Sequence, residues 1–385
     1  FGLLTRKYIY MKIGINGYEA VIPRFGYSSE GIPNRVGSAE VCFQLLLELS
    51  KLDKKNSYII YLPCPPTKDM PEESATWEYR VVPAKRFWTL IALPMALRHD
   101  RPDIFFSPTH YSPLFMPIKT VLTILDVSYK YFPEMFTKKD LYKLSWWGKY
   151  SVKKSKKIIT ISESSKDDII KTYGISPKNV NVIHLGIKNL PTVSMTKEEL
   201  FKKYSVNTPY ILFVGTLQPR KNVKRLIQAI SLLKNKEVKL VIIGKKGWMY
   251  EEILSAPEKF DILNRVTFLH EVVNAELPFF YKHASLFVLP SLYEGFGLPI
   301  LEAMKYKCPV VTSNVSSLPE AGGDAALYVN PEDVSEIAEK IDEVLGNTKL
   351  RDRMIKLGDA QVKKFSWDKA AREVITVFEE TFGKE

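Results

Sequence analysis

Residues 284–304 read ASLFVLPSLYEGFGLPILEAM. The apolar run Leu286–Leu289 has the length and branching of a buried parallel strand. Gly295 and Gly297 then break the chain into a loop, and Pro299 suits the first turn of a helix because its missing N–H costs nothing there. The pattern therefore predicts a strand, a loop and a helix that begins at Pro299, which is the repeating unit of an α/β fold.

Two carboxylates accompany this unit, Glu294 after the strand and Glu302, which is expected in the first turn of the helix. Ligands of open α/β sheets bind beyond the carboxyl ends of the strands, so both side chains can face one crevice. The free N–H groups and the dipole of the helix favour anionic oxygens in the same crevice. This combination suits a sugar nucleotide. A purely structural interpretation is also open, in which Glu302 stabilises the helix dipole and Glu294 faces solvent.

The motif Glu-Gly-Phe-Gly-Leu-Pro from Glu294 to Pro299, followed by Glu302, resembles the signature of retaining glycosyltransferases of family 4. The resemblance extends over nearly the whole chain from Met11. It implies an α/β GT-B fold, with two Rossmann-like domains facing a central cleft and a C-terminal helix that crosses back to the first domain. It also implies that Glu302 binds the nucleotide ribose and that the donor sugar is held by Glu294, Phe296, Gly297 and Leu298.

A second motif, Gly-Thr-Leu-Gln-Pro-Arg-Lys-Asn over residues 215–222, follows an apolar strand and precedes a helix. Free amides and two cations at a helix start can hold a diphosphate. The motif resembles the phosphate-binding loop of the family, with Lys221 as the stronger assignment. The resemblance therefore assigns the diphosphate to Arg220 and Lys221, and the rest of the nucleotide to Gly215, Thr216, Val272 and Val273.

The first half opens with a strand from Met11 and a glycine loop before a helix, without the full Gly-x-Gly-x-x-Gly spacing. The family resemblance implies that Gly37 and Ser38 contact the donor diphosphate and the acceptor, while an ordinary strand-helix turn remains an alternative.

Asp126 ends the β-branched strand that begins at Lys119. Family members commonly have His-Asp at this point, whereas this chain has Leu125-Asp126. Leucine can neither donate a hydrogen bond nor carry a proton. His110, in the preceding loop, is a candidate to reach the same cleft, although a solvated loop histidine is the alternative.

The 385 residues exceed what one core usually holds. We predict an extension at 1–10, an acceptor-side domain at 11–188, a linker at 189–208, a nucleotide-sugar domain at 209–365 and a crossover helix at 366–385. Three cysteines without metal-ligand spacing indicate a reducing compartment. No apolar run approaches the roughly 20 residues that span a bilayer. The cytoplasm is therefore the expected location.

The net charge of +12 is uneven, because residues 1–190 contain 28 Lys and Arg against 17 Asp and Glu. This imbalance favours an anionic acceptor or surface, and no nucleic-acid-binding signature is present. The segment 141–157 combines Trp146, Trp147 and Tyr150 with six lysines. It could lie on the anionic inner face of the cell membrane, or it could pack its aromatic side chains inward.

No Asp-x-Asp metal motif occurs, so we expect a metal-independent enzyme without a cofactor, in which the nucleotide sugar is a substrate. The resemblance implies retaining hexose transfer to a glycan or lipid-linked acceptor, with Arg220, Lys221, Glu294 and Asp126 as catalytic residues. The motif variants most resemble mannosyltransferases of bacterial surface polysaccharide synthesis, so GDP-mannose is the first donor and a UDP-hexose the second. The alternatives are a sugar-nucleotide isomerase or epimerase on the same fold and a non-catalytic sugar-nucleotide-binding protein.

Overall fold

The structure is a computed structural model that describes residues 10–23, 26–27, 31–84, 86–190, 196–206 and 209–383. The predicted extension therefore lies almost entirely outside the described residues, and so do residues 191–195 and 207–208 of the predicted linker. Within the described ranges the chain forms two parallel β-sheets, each covered by helices. The predicted α/β architecture with two Rossmann-like domains is confirmed.

The first sheet has seven parallel strands in the order β3-β2-β1-β4-β5-β6-β7. Its strands are β1 Lys12–Asn16, β2 Ser57–Leu62, β3 Trp77–Val81, β4 Ile104–Ser107, β5 Lys119–Thr123, β6 Lys157–Thr160 and β7 Val180–Val182. The second sheet has six parallel strands in the order β10-β9-β8-β11-β12-β13. Its strands are β8 Tyr210–Val214, β9 Lys239–Ile243, β10 Val266–Leu269, β11 Leu286–Leu289, β12 Val310–Ser313 and β13 Ala326–Val329.

Helices follow most strands, as parallel pairing requires a crossover connection. Up to the second sheet they are α1 Tyr18–Val21, α2 Ser38–Leu52, α3 Leu93–Asp100, α4 Ser128–Tyr131, α5 Lys138–Lys143, α6 Lys149–Lys154, α7 Glu163–Tyr173 and α8 Lys197–Tyr204. The later ones are α9 Val223–Leu232, α10 Glu251–Leu254, α11 Ala256–Lys259, α12 Leu277–His283, α13 Leu298–Lys305, α14 Leu318–Gly322, α15 Val334–Gly346, α16 Thr348–Val362 and α17 Trp367–Gly383. Two π-helical turns, Trp88–Ala92 and Leu144–Gly148, lead into α3 and α6.

The two faces of the first sheet carry different helices. Successive side chains of a strand point to opposite faces. On β4, Phe105 packs in a cluster with Leu97 of α3, whereas the ring of Phe106 lies 5.2 Å from that of Phe378 in α17. On β5, Leu122 lies on the same face as Phe105 by the parallel register and packs against α6 and α7. Helices α3, α6 and α7 thus cover one face, while α17 covers the other.

Helix α17 connects the end of the chain to the first sheet. It packs against α2 and lies beside β4 and β5. Lys157 of β6 forms an ion pair with Glu380, with the nitrogen and oxygen 3.0 Å apart. A Cβ on Gly186 would lie 2.2 Å from the backbone nitrogen of Trp367, so only glycine allows the chain to approach the start of α17. The residue numbers of the domain boundaries stay a prediction.

In the part of the chain that the structure describes, no helix combines the length and the apolar composition needed to cross a bilayer.

Candidate active site

The Gly-Phe-Gly loop connects β11 to α13 at the carboxyl end of the second sheet. Gly297 precedes α13 with φ +113°, in the left-handed region that favours glycine. Because the helix begins at Leu298, Pro299 is its second residue and Glu302 lies in its second turn. The sequence-based placement of Glu302 in the first turn was wrong by this one residue.

Glu294 is buried in this loop and holds two cations. Its Oε1 lies 2.5 Å from Lys221 Nζ, and its Oε2 lies 3.0 Å from Arg220 Nη1. The hydroxyl of Ser291 donates to Oε1 at 2.7 Å. Arg220 and Lys221 form a short 3₁₀ turn after β8, so the cluster joins the ends of two adjacent strands. The alternative in which Glu294 faces solvent is excluded by its burial.

The two cations determine the ionisation of Glu294. Burial on its own would raise the pKa of the carboxyl group, but Lys221 and Arg220 lower it to about 2. Burial lowers the pKa of Lys221, and the neighbouring carboxylate of Glu294 opposes that shift. Glu294 is therefore a carboxylate at neutral pH. The cluster is largely removed from water, and charge interactions are stronger there than in water.

Two serines that the sequence analysis did not identify hold the backbone of the loop. The N–H of Glu294 donates to Ser316 Oγ at 3.0 Å. The hydroxyl of Ser317 donates to the carbonyl oxygens of Glu294 and Phe296 at 2.8 and 3.0 Å. Both serines follow β12, so the rule that ligand-site residues follow the carboxyl ends of strands could have identified them.

Asp126, in the loop that follows β5 in the first domain, lies against the Gly-Phe-Gly loop. A Cβ on Gly295 would be 3.1 Å from Asp126 Oδ2 and 3.2 Å from the carbonyl oxygen of Leu125. The carbonyl of Gly295 accepts hydrogen bonds from Ser162 Oγ at 2.8 Å and from Ser165 Oγ at 3.2 Å. A side chain at position 295 would therefore crowd this contact between the two domains, and the contact brings Asp126 to the Glu294 cluster.

A cavity of about 260 Å³ opens beside this contact. His110, Asp126 and Arg220 contribute its polar wall, and Phe136 and Trp248 contribute to its apolar wall. The rings of Phe136 and Trp248 come from the two domains and lie 6.3 Å apart. Burial lowers the pKa of His110, although the charge of Asp126 opposes the shift. The structure therefore brings His110 together with Asp126 and Arg220.

Glu302 faces the N-terminus of α2 rather than the Glu294 cluster. The hydroxyl of Tyr281 donates to Glu302 Oε2 at 2.9 Å. Burial raises the pKa of Glu302, while Tyr281 and the charge of Lys188 oppose the shift. Lys188 forms an ion pair with Glu40 in the first turn of α2, at 3.1 Å. Gly37 and Ser38, which precede and begin α2, therefore lie at the helix end that faces Glu302.

Phe296 is buried and stacks on His184 of the first domain, with the ring centroids 5.6 Å apart. The Nε2 atom of His184 is hydrogen-bonded to Glu320 of α14. The same carboxylate accepts hydrogen bonds from the backbone N–H of Glu163, at the start of α7. Phe296 therefore belongs to the contact between the domains, and only its backbone remains as a candidate to bind the donor sugar.

The remaining nucleotide-site candidates lie at strand ends of the second sheet. Gly215 and Thr216 follow β8, and a Cβ on Gly215 would lie 3.8 Å from Lys221 Cε. Val272 packs partly buried against the core, whereas Val273 is exposed. Contact of these two valines with a base stays a prediction.

Among the described residues, His, Cys, Asp and Glu side chains do not form a group of three that could hold a metal ion. The expectation of a metal-independent reaction stays a prediction.

The opposite pKa shifts of the two glutamates predict opposite effects of neutralising them. Glu294 has a lowered pKa, so its charge stabilises the fold above about pH 4.5, and this contribution is lost as the pH falls towards 2. At roughly 1.4 kcal/mol per unit, Glu294→Gln should cost about 3 kcal/mol at pH 7. Glu302 has a raised pKa, so its charge destabilises the fold at pH 7, and Glu302→Gln should increase stability.

Urea unfolding of both variants between pH 7 and pH 3 measures these effects. The deficit of Glu294→Gln should shrink towards low pH. An equal loss of stability in the two variants at pH 7 would contradict the assigned electrostatics.

Comparison with known proteins agrees with this geometry. Residues 37–188 match the family described as Glycosyltransferase Family 4, and residues 196–361 match Glycosyl transferases group 1. The chain is similar to O-antigen chain mannosyltransferase B of Escherichia coli, with 32% identity over 307 residues, which are 78% of each chain.

Two solved structures share the fold. Sucrose-phosphate synthase from Thermosynechococcus elongatus aligns with a TM-score of 0.73 at 17% sequence identity. The alignment covers 97% of this chain and 99% of the synthase chain. Anabaena HepE in complex with UDP-glucose aligns with a TM-score of 0.71 at 17% sequence identity. The alignment covers 96% of this chain and 100% of the HepE chain. Together with the family matches, these similarities show that the chain belongs to glycosyltransferase family 4 and is a glycosyltransferase of the GT-B fold.

Proposed function

We propose that this glycosyltransferase transfers mannose from GDP-mannose, with retention, to a glycan or lipid-linked acceptor of a surface polysaccharide. The Glu294 cluster carries the proposal, because it places two buried cations and a carboxylate at the cleft between the domains. The similarity to an O-antigen mannosyltransferase supports mannose as the sugar. A UDP-hexose is the alternative donor, supported by the similar fold of HepE, which was solved with UDP-glucose.

Arg220 and Lys221 bind the diphosphate of the donor. Glu294 accepts one hydrogen bond from each cation, and Arg220 also donates to the carbonyl oxygen of Tyr293, whereas lysine has three N–H donors and arginine five. The remaining donors stabilise the negative charge that develops on the diphosphate as the bond to the sugar breaks. This role is the one that a metal ion has in transferases with an Asp-x-Asp pair.

The carboxylates and the loop orient the rest of the donor. Glu302, in the second turn of α13, accepts hydrogen bonds from the ribose hydroxyls. Glu294 and the backbone N–H groups of residues 296–298 hold the hydroxyls of the sugar. Glu294 is committed to its two cations, so it orients the sugar and is not a nucleophile.

The transfer is a front-face displacement. The bond between the anomeric carbon and the diphosphate oxygen breaks, and the bond to the acceptor oxygen forms on the same face. The acceptor proton moves to an oxygen of the leaving diphosphate, so no protein base is needed. Closure of the cleft excludes water and limits hydrolysis of the donor.

His110 supplies the imidazole that Leu125 lacks. His110 lines the cavity with Asp126 and Arg220, whereas Leu125 packs against the core. The lowered pKa of His110 keeps its ring neutral at pH 7, so one ring nitrogen donates a hydrogen bond and the other accepts one. A neutral imidazole next to Asp126 can bind a sugar hydroxyl at the reacting centre.

Thermal unfolding with GDP, UDP, ADP and their sugar conjugates tests the donor. A ligand at about a hundred times its Kd should stabilise the fold by roughly 2.7 kcal/mol. We expect GDP and GDP-mannose to raise Tm, and Lys221→Ala to abolish this shift. Lys224→Ala, which removes an exposed lysine of α9, is the matched control and should keep it. A shift with UDP alone would replace GDP-mannose by a UDP-hexose, and no shift with any nucleotide would overturn the diphosphate site.

Metal independence predicts that transfer activity survives excess EDTA, because Arg220 and Lys221 carry the charge stabilisation. Activity that is lost in EDTA and recovered only with Mg²⁺ or Mn²⁺ would contradict the proposal.

The role of His110 predicts a rescue. His110→Ala should lower kcat/KM about ten- to a hundred-fold, as expected for one lost hydrogen bond of the reacting sugar. Adding Leu125→His in the His110→Ala background should restore part of the activity, since the new imidazole would adjoin Asp126. Exposed His99→Ala is the control. Unchanged activity in His110→Ala would show that His110 is a bystander.

A further inference from the structure

A second cavity, of about 320 Å³, opens between the two domains beside the residue that precedes Glu294. The first domain contributes one wall from the end of α4 and from α7, and the second domain contributes the other wall from the loops after β11 and β12. None of its lining residues lines the reaction cavity of His110 and Arg220. We name it the tyrosine cavity, and it is lined by Tyr131, Phe132, Ser164, Asp168, Leu292, Tyr293, Val315 and Ser316.

Two tyrosine rings from opposite domains form an aromatic platform in the tyrosine cavity. The rings of Tyr131 and Tyr293 are stacked, with their centroids 5.6 Å apart and their planes at 26°. The ring of Phe132 meets that of Tyr293 edge-on, with the centroids 6.1 Å apart. Tyr293 is buried, whereas Tyr131 is 43% exposed. Tyr131 is therefore the part of the platform that a ligand can reach.

One carboxylate fixes the position of both tyrosines. The hydroxyl of Tyr131 donates to Asp168 Oδ1 in α7, and the hydroxyl of Tyr293 donates to Oδ2 at 2.8 Å. Burial raises the pKa of Tyr131 to about 12 and also raises the pKa of Tyr293, so both hydroxyls keep their protons at neutral pH. Each phenol oxygen can still accept a hydrogen bond, and so can the remaining lone pairs of the carboxylate.

The polar groups of the tyrosine cavity are suited to hydroxyl groups rather than to anions. Among the described residues that line it, Asp168 is the only charged one. A carboxylate repels anionic ligands but accepts hydrogen bonds from hydroxyl groups. The Oγ atom of Ser316 accepts the N–H of Glu294 at 3.0 Å, and its own proton can be donated to a ligand. The cavity therefore favours an uncharged ligand that is rich in hydroxyl groups.

We infer that the tyrosine cavity binds an uncharged saccharide, namely a sugar unit of the acceptor glycan that lies outside the reaction cavity. A sugar ring has C–H groups on its faces, which pack against the negative face of an aromatic ring such as that of Tyr131. It has hydroxyl groups around its edge, which bond to Asp168 and Ser316. An aromatic wall with a few oriented polar groups is the usual composition of a site for a small molecule.

Two short connections link the tyrosine cavity to the reaction cavity. Tyr131 follows Tyr129, which lines the reaction cavity, by two residues, which span at most about 7 Å. Tyr293 precedes Glu294, and its carbonyl oxygen accepts a hydrogen bond from Arg220. A saccharide on Tyr131 is thus held close to the site of transfer. The inference rests on the proposed function for the class of acceptor, and it gives a glycan of several sugar units a second point of attachment.

Isothermal titration calorimetry of the full chain with α-linked mannotetraose, in the absence of a donor, tests this site. We expect Tyr131→Ala to weaken binding about ten-fold, because the ring that packs on the sugar is lost. Tyr131→Phe keeps the ring and should weaken binding about three-fold at most. The matched control is Tyr142→Ala, which removes an exposed tyrosine of α5 outside the cavity and should change nothing. Saturating GDP should leave the affinity unchanged, because the site does not take anions.

Two results would overturn the inference. One is that neither mannotetraose nor maltotetraose, an α-linked glucose oligomer, binds to the unchanged protein. The other is undiminished binding by Tyr131→Ala, and a loss of binding in His110→Ala would then place the saccharide in the reaction cavity. Binding of maltotetraose in place of mannotetraose would support a saccharide site with a different sugar.

The nucleotide-induced Tm shift separates this test from that of the proposed function. Tyr131→Ala should show the same shift as the unchanged protein, since Tyr131 lies outside the proposed diphosphate site. Saccharide binding is measured without a donor, so a failed nucleotide test leaves it intact. A failed saccharide test is likewise distinguished from a failed donor site.

Discussion

The buried ion cluster of Glu294 with Lys221 and Arg220 is the interaction on which the site depends. Moving three charges out of water carries a large desolvation cost, and the attraction within the cluster offsets it only when the geometry is good. The hydroxyl of Ser291 adds a further hydrogen bond to the carboxylate. The cluster fixes two loops from adjacent strands against each other. A buried ion cluster is weak support for stability on its own, so its position at the cleft is compatible with the diphosphate site that we propose.

The same loop is also where the two domains meet. Gly295 is held by Ser162 and Ser165, and Tyr293 donates to Asp168 of α7 at 2.8 Å. Residues on either side of Glu294 are therefore bound to the first domain. Any change in the angle between the domains must move this loop or break these bonds. The position of the Glu294 carboxylate is in this way coupled to the relative orientation of the two domains.

The sequence was sufficient to predict the individual strand-loop-helix units, but it was insufficient to predict which side chains contact each other across the fold. Alternating apolar strands, glycine loops and the proline after Gly297 predicted both Rossmann-like domains, because these signals depend on neighbouring residues. Tyr281 was not predicted as the partner of Glu302, since the contact joins α12 to α13 through the fold. The orientation of Trp146 and Trp147 was left open because a π-helical turn from Leu144 changes the helical phase.

The two halves of the chain differ in how their Lys and Arg side chains are placed. In the second half Lys and Arg nearly balance Asp and Glu, so its affinity for a nucleotide diphosphate must come from a few cations placed in a dry site. Arg220 and Lys221 act over a few ångströms and are little affected by salt. Most described cations of the first half are exposed, although Arg35 and Lys157 are buried, and exposed charges are screened within about 10 Å at 0.1 M salt. A small charged ligand favours the first arrangement, because a few buried cations interact strongly with it, whereas many exposed cations favour an extended anionic surface.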